Sequence, residues 1–178
     1  MATLPLLYRK ILRDYVLSLF ATEFDAVSNQ SAKAYGTDPV VIDFTAGSAN
    51  FLVSYVSPDD VEDCGFQWGD GVNVAGCMYT GGAKDTGIPR GFRFAGLVDL
   101  HIDWYIRKRE GVEGFDTESQ LDAIEDAADA IIVDPANQWP AGFNLSRKSD
   151  FTRQPNVPLG DGYATRIPMK FLFEVKVP

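Results

Sequence analysis

Apolar and polar residues alternate strictly along two stretches of this chain. In two others, apolar residues recur three and four positions apart. The first alternation is LVDLHIDWYIR at 97–107, with Val98, Leu100, Ile102, Trp104 and Ile106 on one side and Asp99, His101, Asp103, Tyr105 and Arg107 on the other. A period of two over about ten residues predicts a strand with one buried face and one face that is wet or meets a partner. The second is the closing ATRIPMKFLFEVKV, where Ile167, Met169, Phe171, Phe173, Val175 and Val177 alternate with Arg166, Lys170, Glu174 and Lys176. Pro168 inside it predicts an edge position or a bulge, because proline donates no ladder hydrogen bond.

The helical periods lie at 4–20 and 116–134. Leu7, Ile11, Leu12, Tyr15 and Leu19 form one stripe, with Pro5 suited to a first turn. In the second segment Leu121, Ile124, Ala128, Ile131 and Ile132 form the apolar stripe. Asp116 or Thr117 can cap its start, Thr117 with Gln120 matches a capping box, and Pro135 stops it. Residues 21–39 are polar and small and predict a connection. VVIDF (40–44) and NFLVSYV (50–56), separated by TAGSA, predict a hairpin. Residues 57–91 are rich in Gly and Asp and predict a long excursion carrying one or two short strands, such as 72–79. Residues 143–163 predict a short strand near 143–147 and a long proline-rich, basic loop or hairpin. The expected fold is α+β, a single domain over 1–178: one mostly antiparallel sheet, two helices on one face, and long loops.

The chain has 178 residues, and its 25 acids and 16 bases give a formal net charge of -9. That balance argues against a general nucleic-acid binder, which needs a basic footprint. All of the excess lies in one place, for 110–146 holds nine acids and no Lys or Arg. The flanking stretches 71–109 and 147–178 each carry six bases and three acids. The basic residues at the N-terminus interrupt its apolar ones, so no export signal is expected, and no apolar run is long enough to span a membrane. Cys64 and Cys77 read as two buried thiols rather than a disulfide framework.

Candidate chemistry is sparse. Asp99, His101 and Asp103 on one strand face could ligate a metal or work as an acid/base pair. With only one His in the chain, a solvated strand face is the preferred reading. WGDG (68–71), TGG (80–82) and GDG (160–162) match no phosphate-binding fingerprint and read as turns. The cluster Asp59, Asp60, Glu62 and Asp63 lacks the alternation and closing glutamate of a calcium loop. Trp68, Tyr79 and Trp139 could line a sugar platform, which keeps a carbohydrate-binding module among the alternatives. A hydrolase centred on His101 has no nucleophile elbow beside it. No enzyme, cofactor or metal is expected.

VDLHIDWYIRKREG, then TESQLDAIEDAADAIIVD, then a loop and RIPMKFLFEVKV, preceded by LYRKILRDYVLSLF, resembles the tail terminator (tail completion) proteins of tailed bacteriophages. The likeness is one of element order and helix character, not of a catalytic motif. It implies a non-enzymatic virion protein, made in the host cytoplasm, that forms a ring, usually a hexamer. Such a ring caps the tail tube and joins it to the head, contacts the tail-tube and neck proteins, and lets DNA pass without specific binding. A head–tail connector, tube or baseplate subunit is the alternative within the same class. Under this reading the contact residues are acids of the helix (Asp122, Glu125, Asp126, Asp129) and bases of the flanking strands and loops (Arg107, Lys108, Arg109, Arg147, Lys148, Arg153).

Overall fold

The computed structural model of the chain describes residues 7–45, 48, 50–56, 66, 73–85, 91, 94–107, 117–159 and 162–177. Helix α1 spans Tyr8–Tyr35 and helix α2 spans Thr117–Val133. The strands are β1 (Phe51–Leu52), β2 (Val74–Asp85), β3 (Phe94–Ile106), β4 (Phe143–Ser149), β5 (Gln154–Leu159) and β6 (Gly162–Val177). They form one mixed sheet in the order β1-β2-β3-β6-β4, with β5 also on β6. Every pairing is antiparallel except β1 with β2. The α+β architecture expected from the two alternating segments is the one observed.

The centre of the sheet is β3 against β6, in unbroken register from Phe94↔Val177 to Ile106↔Thr165. Each strand contributes its apolar side to the same surface. Val98, Leu100, Ile102, Trp104, Ile167, Met169, Phe171, Phe173 and Val175 are all fully buried there. Both helices cover this surface. α1 brings Leu12, Val16, Phe20 and Phe24, and α2 brings Leu121, Ile124, Ala128, Ile131 and Ile132. Trp104 is the hub, with the rings of Phe20, Phe24, Phe44 and Phe51 within 5.5–6.5 Å of it. Gly76 on β2 lies against its face, where a Cβ would come within 2.6 Å of the indole.

α1 is longer than the 4–20 stripe predicts, and residues 21–35 are helix rather than connection. The stripe continues as Phe20, Phe24, Ser28 and Ala32, all buried. Its small residues let the helix approach the rest of the core closely. The Ser28 hydroxyl is satisfied by the Val40 carbonyl at 3.4 Å. Gly36 ends the helix in the left-handed region (φ 70°), and the Thr37 amide donates to the Ala32 carbonyl, a Schellman-type stop. α2 ends before Pro135 as expected. Asn137 Nδ2 donates to the carbonyls of Ile131 and Ile132, so the orphan ends of the helix are capped by a side chain.

The expected 40–44/50–56 hairpin does not form. Val40, Ile42 and Phe44 are buried and point into the helix-side core, but among the described residues no strand pairs with them. Only Phe51 and Leu52 join the sheet, parallel to Gly76 and Cys77 of β2. Alternation here reports burial of an extended segment, not a ladder. β2 runs past the expected 72–79 to Asp85, with a register shift between Thr80 and Ala83.

The 143–163 region is also more ordered than a long loop. β4 and β5 run in the same direction along β6 and amount to one strand interrupted at 150–153. β4 pairs with β6 down to Lys170 and β5 resumes at Arg166, so Pro168 falls in the interval between them. Proline is therefore tolerated inside a central strand, because on that side no ladder reaches it. Among the described residues, no helix is long and apolar enough to cross a membrane.

Candidate functional site

Alternation along β3 puts Asp99, His101, Asp103 and Tyr105 on the face away from the helices. Pairing then sets their neighbours. Tyr79 lies opposite His101, Cys77 opposite Asp103 and Ala75 opposite Tyr105 on one side. Lys170 and Arg166 lie opposite His101 and Tyr105 on the other. Two diagonal ion pairs result: Lys170 Nζ to Asp99 Oδ2 at 2.7 Å, and Arg166 Nη2 to Asp103 Oδ2 at 2.7 Å. Arg166 is held further by Gln154 Oε1 at 3.0 Å. The His101 and Tyr79 rings stack at 4.8 Å, and the exposed Tyr55 meets Tyr79 edge-on. Gly81 gives the imidazole its room, since a Cβ there would lie 2.8 Å from His101 Nε2.

This face divides in two. At one end Val56, Phe66, Ala75, Cys77, Tyr105 and Ala164 form a second, smaller core, with Leu52 and Tyr79 packed on it. The expectation of a uniformly wet face fails there, since Asp103 and Tyr105 are 0% exposed. The side chains of Phe66 and Val56 exclude water from a row that sequence alternation alone marks as polar. At the other end Asp99, His101 and Lys170 remain partly exposed, and among the described residues nothing is packed over them.

Burial decides the acid–base character of the group. It pushes the Asp103 carboxyl above its ordinary value even though the Arg166 guanidinium pulls it back down. Burial, then the charge of Lys170, holds His101 below the usual imidazole value. Burial, then the nearby Asp103 carboxylate, pushes the Cys77 thiol up to about 12. Cys77 is a free, buried thiol and at neutral pH stays protonated, the opposite of what a nucleophile requires.

The acidic face of α2 is the second charged feature. Its carboxylates are met by bases of the same chain. Arg153, in the interruption between β4 and β5, bonds Glu118 at 3.1 Å, Glu125 at 2.9 Å and Asp122. Lys148 of β4 pairs with Asp129 at 3.1 Å, and the Tyr35 hydroxyl donates to Asp126. Of the residues expected to make contacts, the structure thus brings Asp122, Glu125, Asp129, Lys148 and Arg153 together inside one molecule. Asp126 is exposed beside them. Arg147 lies across the sheet from them. It is opposite Leu172 on the face away from the helices, and exposed. The Arg107 amide donates to the Asn73 carbonyl at the end of β3.

Lys108, Arg109, the 59–63 acids, Cys64, Trp68 and Asp116 lie outside the described residues. Trp139 is no open platform, for it packs on Tyr15 and Phe173 on the helix side of the sheet. Sequence reasoning missed the cross-strand partners Arg166 and Lys170. The signal was present, since two neighbouring amphipathic strands with acids on one polar side and bases on the other predict such pairs. No family model matches this chain, and no curated protein matches it.

Proposed function

We propose that this protein is a non-enzymatic structural subunit of a tailed-phage virion, a tail terminator that assembles into a ring between tail tube and head. The observation that carries the reading is the one-sided sheet. Both helices cover one face, while the half of the other face around Asp99, His101 and Lys170 has no described element over it. A sheet face of charged and aromatic side chains, half-exposed and internally paired, suits contact with a partner. The strands are long for the size of the chain, with β6 at 16 residues running roughly 53 Å at 3.3 Å per residue. The buried Cys77 thiol, held protonated, argues against a thiolate nucleophile on the same face. The element order that prompted the resemblance, a leading helix, a long strand, an acidic helix and a closing long strand, is the order in the fold.

Antibody labelling of purified virions tests the reading. Label at the head–tail junction, together with separated heads and tails in particles lacking the chain, is the expected result. Label along the tube or at the baseplate transfers the protein to another tail position. Absence from virions refutes the reading altogether.

A further inference from the structure

The two charged features lie on opposite sides of the sheet, and their signs are opposite. On the open face, register places Lys84 opposite Leu97, Lys170 opposite His101, Lys176 opposite Ala95, and Arg147 opposite Leu172. Among the described residues only Asp99 and Glu174 oppose these four bases, and both are already paired, with Lys170 and with Lys176. Lys84 and Arg147 are exposed, and neither pairs with a described acid. On the helix side, α2 and the residue just after it present Glu118, Asp122, Glu125, Asp126, Asp129 and Asp134, with no base in the last turn. Arg153 and Lys148 offset only part of this charge. Glu118 remains 77% exposed while touching Arg153, and Asp126 and Asp134 are exposed.

We infer that the open, basic half of the sheet docks on the acidic α2 face of a second copy of this chain. The contact deepens the ring reading and rests on it. Charge complementarity names the occupant: the same molecule carries both the basic surface and its acidic counterpart. Position sets the symmetry. A two-fold contact needs one self-complementary patch, whereas these surfaces face opposite ways. They can meet only head to tail, in the class of contact that closes into rings or runs on as filaments. Arg153 and Lys148, expected from sequence to reach a neighbour, hold the acidic helix in place within the subunit. Among the described bases of the open face, Lys84 and Arg147 are the exposed ones that no described acid pairs.

Charge swapping tests the contact by sedimentation of the full chain at low salt. Glu118→Lys with Asp126→Lys and Asp134→Lys makes both surfaces basic, and Lys84→Glu with Arg147→Glu makes both acidic. Each variant alone should raise the dissociation constant of self-association on the order of 100-fold, because like charges then meet. Mixed in equal amounts, the two should assemble again, since each supplies the charge the other lacks. Rescue by mixing also shows that both variants are folded. Assembly of either variant at the strength of the parent, or a mixture that stays dissociated, overturns the proposed surface. Rings that persist in both variants overturn the surface but leave the ring reading standing. Charge-dependent assembly of a chain absent from virions does the reverse. A parent chain that stays monomeric at every salt and concentration overturns the surface, and binding of duplex DNA in place of self-association does so as well.

Discussion

Replacing Gly76 by Ala tests the claim that Trp104 organises the helix-side core. An alanine Cβ at 76 would lie 2.6 and 2.7 Å from Trp104 Cε3 and Cζ3 and 2.9 Å from Phe51 Cδ2. Ordinary carbon contacts need about 3.5–4 Å, so roughly 1 Å must be found. Trp104 is 0% exposed and is braced by Phe20, Phe24 and Phe51 at ring distances of 5.5–6.0 Å, so the indole has nowhere to swing. Overpacking of this kind costs about 1–3 kcal/mol, and the rigid surroundings put Gly76→Ala at about 3 kcal/mol.

Trp104→Phe removes the ring that the new methyl would strike. Alone it leaves a gap of about 40 Å³, worth about 1 kcal/mol at 24 cal/mol per Å³. Part of that is offset because the indole Nε1 is buried without a hydrogen-bond partner among the described residues. The double variant should therefore be more stable than the sum of the single losses by at least 1 kcal/mol, since the methyl fills the gap. Urea denaturation followed by far-ultraviolet circular dichroism gives the three differences without relying on tryptophan emission. Additivity within about 0.5 kcal/mol, the behaviour of independent sites, would refute the packing argument. So would a neutral Gly76→Ala.

Other perturbations probe the polar face and the acidic helix. Arg166→Met leaves the 1%-exposed Asp103 side chain without its partner and should cost about 3 kcal/mol at neutral pH. Asp103 binds its proton more tightly folded than unfolded, so this loss should shrink on acidification; a loss that does not change with pH would contradict the assignment. His101 is shifted the other way: as pH falls through about 6.5 the unfolded chain takes up the proton first, and stability present above that pH drains away below it. His101→Phe keeps a ring on Tyr79 and should flatten that part of the melting-temperature profile, whereas identical slopes in parent and variant would rule the imidazole out. Arg153→Ala should cost about 1 kcal/mol at low salt, with the difference fading at high salt as the α2 carboxylates are screened; a salt-independent loss would mean that packing of the arginine stem dominates.

Strict alternation made β3 and β6 legible from sequence because each has one apolar face against the helices. α2 was legible for the same reason. The second half of α1 was not. Its buried stripe passes from Phe24 to Ser28 and Ala32, and small residues in a close helix contact look like a polar connection until the partner is seen. The 40–44 segment misled in the opposite sense. Val40, Ile42 and Phe44 alternate because one side of an extended chain lies on the core, and burial leaves the same trace whether or not a ladder forms. The buried end of the polar face was illegible in principle. Tyr105 packs with Val56 and Phe66, residues about 40 to 50 positions earlier, and no local pattern encodes that meeting. The acids of α2 stood out in the sequence, but their partner Arg153 lies about 30 residues on, beyond β4.

The small second core has a consequence for how the sheet moves. Around Ala75, Cys77, Trp104 and Tyr105 the strands are dry on both faces, whereas around Lys84, Leu97 and Glu174 they are dry on one only. Amide exchange should grade along single strands of β2, β3 and β6, slowest at the doubly covered end. Among the described residues the sheet is thus packed on both faces at one end and on one face at the other. The singly covered end is the one that carries the unpaired bases Lys84 and Arg147, so a partner docked there would supply the second dry face that the other end already has.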